Sequence, residues 1–449
     1  MSKVLLRPDV IAAIATPHGQ GGIGVVRLSG HDLSLLAHTL LGKVPVPRRA
    51  TYASFLDAQG QVMDQGIALF FPAPHSYTGE DILELQGHGG TAIVQLVLQR
   101  CLEIGARLAQ PGEFTQRAFL NEKLDLAQAE SVADLIAATT SQAARSAMRS
   151  LQGEFSQAIH RLVDGLVSLR MLVEAMLDFP EEEIDAPDVT QRDKRLVALH
   201  AELEKILSLA QQGSLLREGA HIVLVGQPNV GKSSLLNRLS GEDVALVSEF
   251  PGTTRDLISR SIQIDGVPLH IVDTAGLRKA GDAVEQMGIA RTYEALKKAD
   301  AILILLDASH GMTEDDQKIL DELPREIPRL HVFNKVDLLA QHAYVKEQND
   351  ECHIYLSAKT GEGLGFLRNK LLSLLGWHQE AGIFMARERH VHALLGARDH
   401  LQRAAGEINR PELCAEELRL AQEKLNSITG EFSADDLLGE IFSRFCIGK

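Results

Sequence analysis

Gly226-Gln-Pro-Asn-Val-Gly231-Lys232-Ser233-Ser234 follows the apolar run His221-Ile-Val-Leu-Val225 and opens into Leu235-Leu-Asn-Arg238. In order, this reads as a buried strand, a glycine loop and a helix start, with the G-x-x-x-x-G-K-[ST] spacing of a phosphate cradle. Glycines let the backbone curl until successive N–H groups point inward at an anion, and the helix start adds its positive dipole end. Lys232 is placed to reach β- and γ-phosphates, and Ser233 to offer a hydroxyl to Mg²⁺. The stretch predicts a nucleoside triphosphate held by Asn229, Val230, Gly231, Lys232, Ser233 and Ser234.

Later strings select the base. Asp273-Thr274-Ala275-Gly276 follows the strand-like Leu269-His-Ile-Val272. An Asp at a strand end can hold the Mg²⁺ shell, and Gly276 lets its N–H approach the γ-phosphate. Asn334-Lys335-Val336-Asp337 follows Leu330-His-Val-Phe333, and Ser357-Ala358-Lys359 follows Cys352-His-Ile-Tyr-Leu356. A carboxylate such as Asp337 accepts from guanine N1–H and its 2-amino group, an arrangement adenine lacks. The Ser357–Lys359 segment would close over the base. Four strings in this order, each after an apolar run, predict GTP.

These residues resemble the GTPase domain of translation-factor-like G proteins. On that resemblance Pro251-Gly252-Thr253-Thr254-Arg255-Asp256 is the first switch loop, with Thr254 a Mg²⁺ ligand beside Ser233. Ras-like enzymes place a water-orienting Gln after Asp-x-x-Gly. Leu277 stands there instead and cannot orient water. The nearest carboxylate that the resemblance supports as catalytic, together with Lys232, is Glu285; Arg278 reads as a solvated switch residue. Asn229 has two readings: it stabilises the loop, or its carbonyl oxygen ligates K⁺. The related GTPases imply the second, with Ser248, Phe250 and Thr253 completing the cation site. Ser248, Glu249, Phe250, Pro251 and Gly252 then line the nucleotide.

Over nearly its whole length the chain resembles the tRNA-modification GTPases of the MnmE (TrmE) family. The strings that carry this are Glu84-Leu-Gln-Gly-His-Gly-Gly90, Pro111-Gly-Glu-Phe-Thr-Gln-Arg-Ala-Phe-Leu-Asn-Glu-Lys123-Leu-Asp-Leu and Phe445-Cys446-Ile-Gly-Lys449. The resemblance implies GTP hydrolysis coupled to installing a carboxymethylaminomethyl-type group at C5 of the wobble uridine of certain tRNAs. It implies a flavin-dependent partner subunit of the MnmG (GidA) family, a homodimer joined through the N-terminal domains, and a reduced folate of the 5-formyl- or methylene-tetrahydrofolate type. Arg27, Glu84, Lys123 and Lys449 match the family's folate contacts. The chemistry suits them, since Arg and Lys fit the folate glutamate tail and Glu84 can accept two N–H bonds from the pterin. Without the resemblance each reads as an ordinary surface charge. Cys446 is open between one-carbon chemistry and a packed, inert thiol; a terminal Lys makes prenylation the poorer reading of the tail. His88, without a second ligand at useful spacing, reads as structural or substrate-shaping.

Composition sets bounds. The chain has 449 residues, 45% hydrophobic, and a net charge of −15. This length suggests about three domains. The acidic balance argues against a free-standing nucleic-acid binder, which needs clustered Lys and Arg. Cys101, Cys352, Cys414 and Cys446 are scattered, so neither a zinc site nor a disulfide framework is expected. No apolar run reaches ~18 residues and no signal-peptide pattern opens the chain, so a cytoplasmic protein without a membrane contact is expected.

The predicted architecture is multidomain. An α+β folate-binding and dimerisation domain occupies residues 1–118, a discontinuous α-helical domain 119–215 and 378–449, and an inserted α/β Ras-like P-loop G domain 216–377. Gly19-Gln-Gly-Gly-Ile-Gly24 matches G-x-G-x-x-G, but Val25-Val-Arg-Leu28 continues as strand, so it reads as a glycine hairpin. Leu162, Leu166, Leu169, Val173 and Met176 form one helical apolar stripe, and Leu196, Leu199, Leu203 and Ile206 another, with Gly213 a helix stop. Pro180-Glu-Glu-Glu-Ile-Asp185 reads as a solvated loop, and Ser433-Ala-Asp-Asp436 as the cap of a last short helix. Two rival readings remain at this stage. A pure binding switch would need a basic appendage, and a folate-dependent methyltransferase would need a catalytic base in the first ~118 residues.

Overall fold

The computed structural model describes residues 9–178, 186–242, 259–273, 295–339, 341–348, 351–378, 382–431, 435–443, 445 and 448. The acidic loop at 180–185 and the capping residues Ser433 and Ala434 lie outside them. By contacts the chain divides into two compact units: Met1–Ala133 with Leu151–Ala175 and Pro411–Lys449, and Asp134–Ser150 with Met176–Arg410.

The first unit holds a six-stranded sheet of β1 (Ile11–Ile14), β2 (Gly21–Gly30), β3 (Thr51–Leu56), β4 (Val62–Phe71), β5 (Asp81–Gly89) and β6 (Arg107–Leu108), in the order β3-β4-β5-β2-β1-β6. β1 and β2 pair antiparallel, so the Gly19–Gly24 string is a hairpin turn running into strand. One-sided burial gives β4 and β5 their apolar alternation. Val26, Leu28, Leu83 and Leu85 pack under the helices Ser34–Leu41 and Thr91–Glu103. Ile11, Ala13, Ala109 and Phe114 form a smaller cluster, with Tyr77 packed against it. Leu126, Ala129, Ile441, Phe442 and Phe445 join the helices Leu126–Ala137 and Asp435–Ser443 in this unit. Arg170 Nη1 donates to Gln422 Oε1 at 2.9 Å, between the helices Glu154–Asp178 and Pro411–Thr429.

The second unit is built on a seven-stranded sheet: β7 (Ala220–Val225), β8 (Ser259–Ile264), β9 (Val267–Asp273), β10 (Ala301–Asp307), β11 (Arg329–Asn334), β12 (Tyr344–Gln348) and β13 (Glu351–Tyr355). The order is β12-β13-β11-β10-β7-β9-β8, with a parallel centre and antiparallel edges β8 and β12. β10 is buried over six consecutive residues, the pattern of a strand covered on both faces. The order reverses at β7, which places the loop after it at a topological switch point, where open α/β sheets bind ligands.

The long helix Ala186–Glu218 corrects one expectation. Gly213 does not stop it; Gly219 follows its end in the left-handed region, at φ +73°. Gly213 serves close packing instead, because a Cβ there would sit 2.0 Å from the Phe384 carbonyl oxygen. Glu388–Gly406 packs along this helix. Asp134, nearly buried, takes Arg217 Nε at 2.9 Å and Arg387 Nη2 at 2.8 Å. One carboxylate thus holds the chain just before β7 and just before Glu388–Gly406.

Candidate functional site

The cradle follows β7. Gly226, Asn229 and Gly231 take φ values of +154°, +65° and +102°. A Cβ on Gly226 would meet the Leu305 carbonyl oxygen at 2.2 Å, so the first glycine is required by the approach of β10. Asn tolerates the left-handed region better than most residues, which gives Asn229 a conformational role whatever else it binds. Helix Lys232–Glu242 starts at the loop's end. Lys232, 6% exposed, donates from Nζ to the carbonyls of Gly226 at 2.6 Å and Gln227 at 2.7 Å, closing the loop. Ser233 and Ser234 are exposed at the helix start.

Asn334 is the centre of the arrangement. It is the last residue of β11 and 3% exposed. Its Nδ2 donates to Val230 O at 2.8 Å, and its Oδ1 accepts from the Ala358 amide at 2.8 Å. One amide side chain therefore ties the cradle to the Ser357–Lys359 loop. Ser357 Oγ donates to Asp337 Oδ1 at 2.6 Å, leaving the other carboxylate oxygen for a ligand. Asp273 ends β9 on the opposite side of β7. The structure so brings Asn229–Ser234, Asn334, Lys335, Asp337 and Ser357–Lys359 together around the strand ends. Ser248–Thr254, Thr274, Ala275, Gly276, Leu277, Arg278 and Glu285 lie outside the described residues.

Two side chains that sequence reasoning passed over join this site. Arg238 donates through Nη2 to Lys359 O at 2.5 Å and through Nε to Ala358 O at 3.4 Å, fastening the base loop to the cradle helix. Asp307 pairs with Lys335 at 2.7 Å. Burial works against the Asp307 carboxylate, but Lys335 and the hydroxyl and amide of Ser309 hold its pKa down at about 2. Its signal was present: a carboxylate closing the apolar run Ile302–Leu306, as Asp273 closes its own.

In the first unit, Arg27 and Glu84 are cross-strand partners on β2 and β5, with Nη2 to Oε1 at 2.8 Å. The guanidinium carbon lies 5.9 Å from the ring centroids of both Tyr77 and Phe114. Arg117 fixes the adjoining loop by pairing with Glu80 at 2.9 Å and Glu113 at 3.0 Å. Lys123 Nζ donates to Pro74 O at 3.1 Å on the same loop. Lys449 lies outside the described residues; Gly448 packs against β1, where a Cβ would be 2.4 Å from Ile14 O. Cys446 is not described; Cys101, Cys352 and Cys414 are in no disulfide, and burial pushes Cys101 up to about 12. His88 Nδ1 meets Asp64 Oδ1 at 2.7 Å, which fixes its ring. A cleft of about 290 Å³, lined by Ile14, His18, Gly21 and Val94 among others, opens on the helix-covered face. Arg27, beside Tyr77 and Phe114, stands on the other face. No group of three or more metal-ligating side chains occurs among the described residues, and no helix among them is long and apolar enough to cross a membrane.

Two family models match the chain: GTP-binding protein TrmE N-terminus over residues 10–123 and MnmE helical domain over 126–446. The seven-stranded sheet falls inside the second span. The tRNA modification GTPase MnmE of Nitrosomonas europaea is 59% identical over 447 residues, covering 98% of this chain and 99% of that protein. The protein of the same name from Nitrosospira multiformis is 60% identical over 452 residues, covering 99% and 100%. Among solved structures, an Era variant of Aquifex aeolicus bound to GDP·AlF4− is 25% identical, covers 40% of this chain and 66% of its own, and has a TM-score of 0.28.

Proposed function

The chain belongs to the MnmE family of tRNA modification GTPases, and from that premise we propose how its residues divide the work. The observation that carries the proposal is Asn334, whose side chain joins the phosphate cradle to the base loop. Val230, Gly231, Lys232, Ser233 and Ser234 grip the phosphates of GTP. Asn334, Lys335, Asp337, Ser357, Ala358 and Lys359 receive guanine, and Asp273 to Gly276 with Ser248 to Thr254 close around the γ-phosphate. Exposed Ser233 suits Mg²⁺ together with Thr254. K⁺ at Asn229, Ser248, Phe250 and Thr253 would neutralise charge that develops on the phosphates, and Glu285 would direct the water.

The second centre takes a reduced folate at Arg27, Glu84, Lys123 and Lys449. The Arg27–Glu84 pair beside two aromatic rings offers donors, acceptors and flat apolar surface to a planar, hydrogen-bonding ring. The folate supplies the one-carbon unit, and a flavin-dependent subunit of the MnmG (GidA) family works with a homodimer of this chain. The product is a carboxymethylaminomethyl-type group at C5 of the wobble uridine in cytoplasmic tRNA. The domain spans 1–118, 119–215, 216–377 and 378–449 follow from the same reading.

Nucleoside analysis of tRNA from cells lacking the protein tests the whole proposal. The modified wobble uridine disappears if it is right and persists if it is wrong. GTP turnover of the full chain in K⁺ against Na⁺ tests the cation. K⁺ is expected to raise kcat at least about tenfold, below the ~10²-fold that one preorganised charge-stabilising donor supplies; equal rates would remove it.

A further inference from the structure

The segment Ser357–Lys359 is held from two sides. On the strand side, Asn334 Oδ1 accepts from the Ala358 amide at 2.8 Å, and Asp337 Oδ1 accepts from Ser357 Oγ at 2.6 Å. On the other side stands the helix Lys232–Glu242, across a cleft of about 310 Å³ lined by Ser234, Asn237, Arg238, Gly241 and Ala358. Leu235, Leu236 and Leu239 are buried in the core of the seven-stranded sheet, which fixes the rotation of the helix and so the direction in which Arg238 leaves it. Half-buried Arg238 crosses the cleft. Its Nη2 donates to Lys359 O at 2.5 Å and its Nε, more weakly, to Ala358 O at 3.4 Å. The backbone of Ala358 is thus tied by its N–H to the end of β11 and by its carbonyl to the cradle helix.

We propose that Arg238 is a positioning residue that sets how long a guanine nucleotide stays bound, by holding the base loop against the helix that starts at the phosphate cradle. A loop tied along one edge opens more often than a loop tied along both. Each opening removes base contacts, so affinity falls with the fraction of closed loop. Arginine suits the task because its planar fork presents several donors in fixed directions, whereas a lysine offers a point charge on a flexible stem. Both acceptors belong to the base loop, so the loss falls on the base end of the nucleotide and not on its phosphates. GDP and GTP share that end and are affected alike.

The inference rests on the proposed assignment of Asp337 and Ser357–Lys359 to guanine. The test uses the full chain with Arg238→Ala, and a ribose-labelled fluorescent GDP as probe. The dissociation rate of GDP is expected to rise about 3- to 20-fold, the span of one charged hydrogen bond discounted for partial exposure. The Kd of GDP and of GTP is expected to rise by the same factor. Inorganic triphosphate, which engages the cradle alone, is expected to compete with the probe at an unchanged Kd. An unchanged GDP dissociation rate overturns the proposal. So does an equal loss of triphosphate affinity, which would mean that the arginine acts through its charge or through the cradle. Asp337→Asn tests the premise separately. It is expected to exchange guanine for xanthine, whose C2 carbonyl accepts from an amide where guanine's amino group donates to a carboxylate. If guanine stays preferred, the base-site assignment fails and the proposal with it; if the preference exchanges but Arg238→Ala leaves GDP dissociation unchanged, only the role of Arg238 fails.

Discussion

At the scale of single residues, the candidate nucleotide site is held together by one buried amide rather than by its glycines alone. Removing the Asn334 side chain would leave Val230 O and the Ala358 N–H without their partners inside the protein. A buried polar group left unmet costs about 1–3 kcal/mol. Asn334→Ala is therefore expected to lower stability by about 2–4 kcal/mol and to raise the KM for GTP at least tenfold; a Tm and KM close to the parent values would show that the two loops are set elsewhere. Most of this site could be read from the sequence, because a glycine loop and a strand-end carboxylate are local signals. Asp307 and Arg238 were harder to read. Their partners, Lys335 and the Ala358–Lys359 carbonyls, are far along the chain, and no local pattern marks such a pairing. Gly213 was misread for the same reason. A glycine near a helix end looks like a stop until the Phe384 carbonyl that needs its space is known.

At the scale of elements, the strand runs were legible because period and burial coincide. The pairing of helices was not, since an apolar stripe names no partner. The structure supplies a junction that no stripe could show. Where the long helix ends at Glu218, His270 of β9 meets it: Nε2 contacts Glu218 O at 3.1 Å and Nδ1 contacts Ser261 Oγ of β8 at 3.0 Å. His221 of β7 lies beside it, ring centroids 5.1 Å apart. Burial first, and then the neighbouring His221, lower the pKa of His270 below its ordinary 6.5, with the Glu218 carbonyl opposing them. A histidine that resists protonation only when folded contributes stability above the unfolded pKa. That contribution is lost as pH falls through about 6.5 toward the lower folded value. Between pH 7.5 and 5.5, the melting transition that GDP raises is expected to shift down, and His270→Asn is expected to flatten that shift. Identical pH slopes in the two proteins would assign the sensitivity to other groups.

At the scale of the molecule, the chain falls into two compact units, and the segment Asp134–Ser150 belongs by contact to the unit that holds the proposed nucleotide loops. Thr140 Oγ1 donates to Gly266 O at 3.0 Å, at the turn between β8 and β9. β8 follows and β9 precedes the segments proposed to close on the γ-phosphate, so a change there would have a covalent and hydrogen-bonded route into the helix Ser141–Leu151. The far end of the chain is placed as closely. Gly448 sits at φ +98°, where L residues are strained, and a Cβ there would lie 2.4 Å from Ile14 O and 3.2 Å from Ala15 Cα. Both neighbours are backbone, so neither can rotate away. Gly448→Ala must therefore move this backbone away from β1, one residue before Lys449, the proposed folate contact. Because Gly448 and the nucleotide loops fall in different units, the substitution is expected to weaken reduced-folate binding at least tenfold while leaving GTP turnover as it was. Titration of the full-length variant with 5-formyl-tetrahydrofolate, alongside a GTPase assay, separates the outcomes. Unchanged folate affinity would detach the tail from that site, and a parallel loss of GTP turnover would mean that the substitution damages more than the tail.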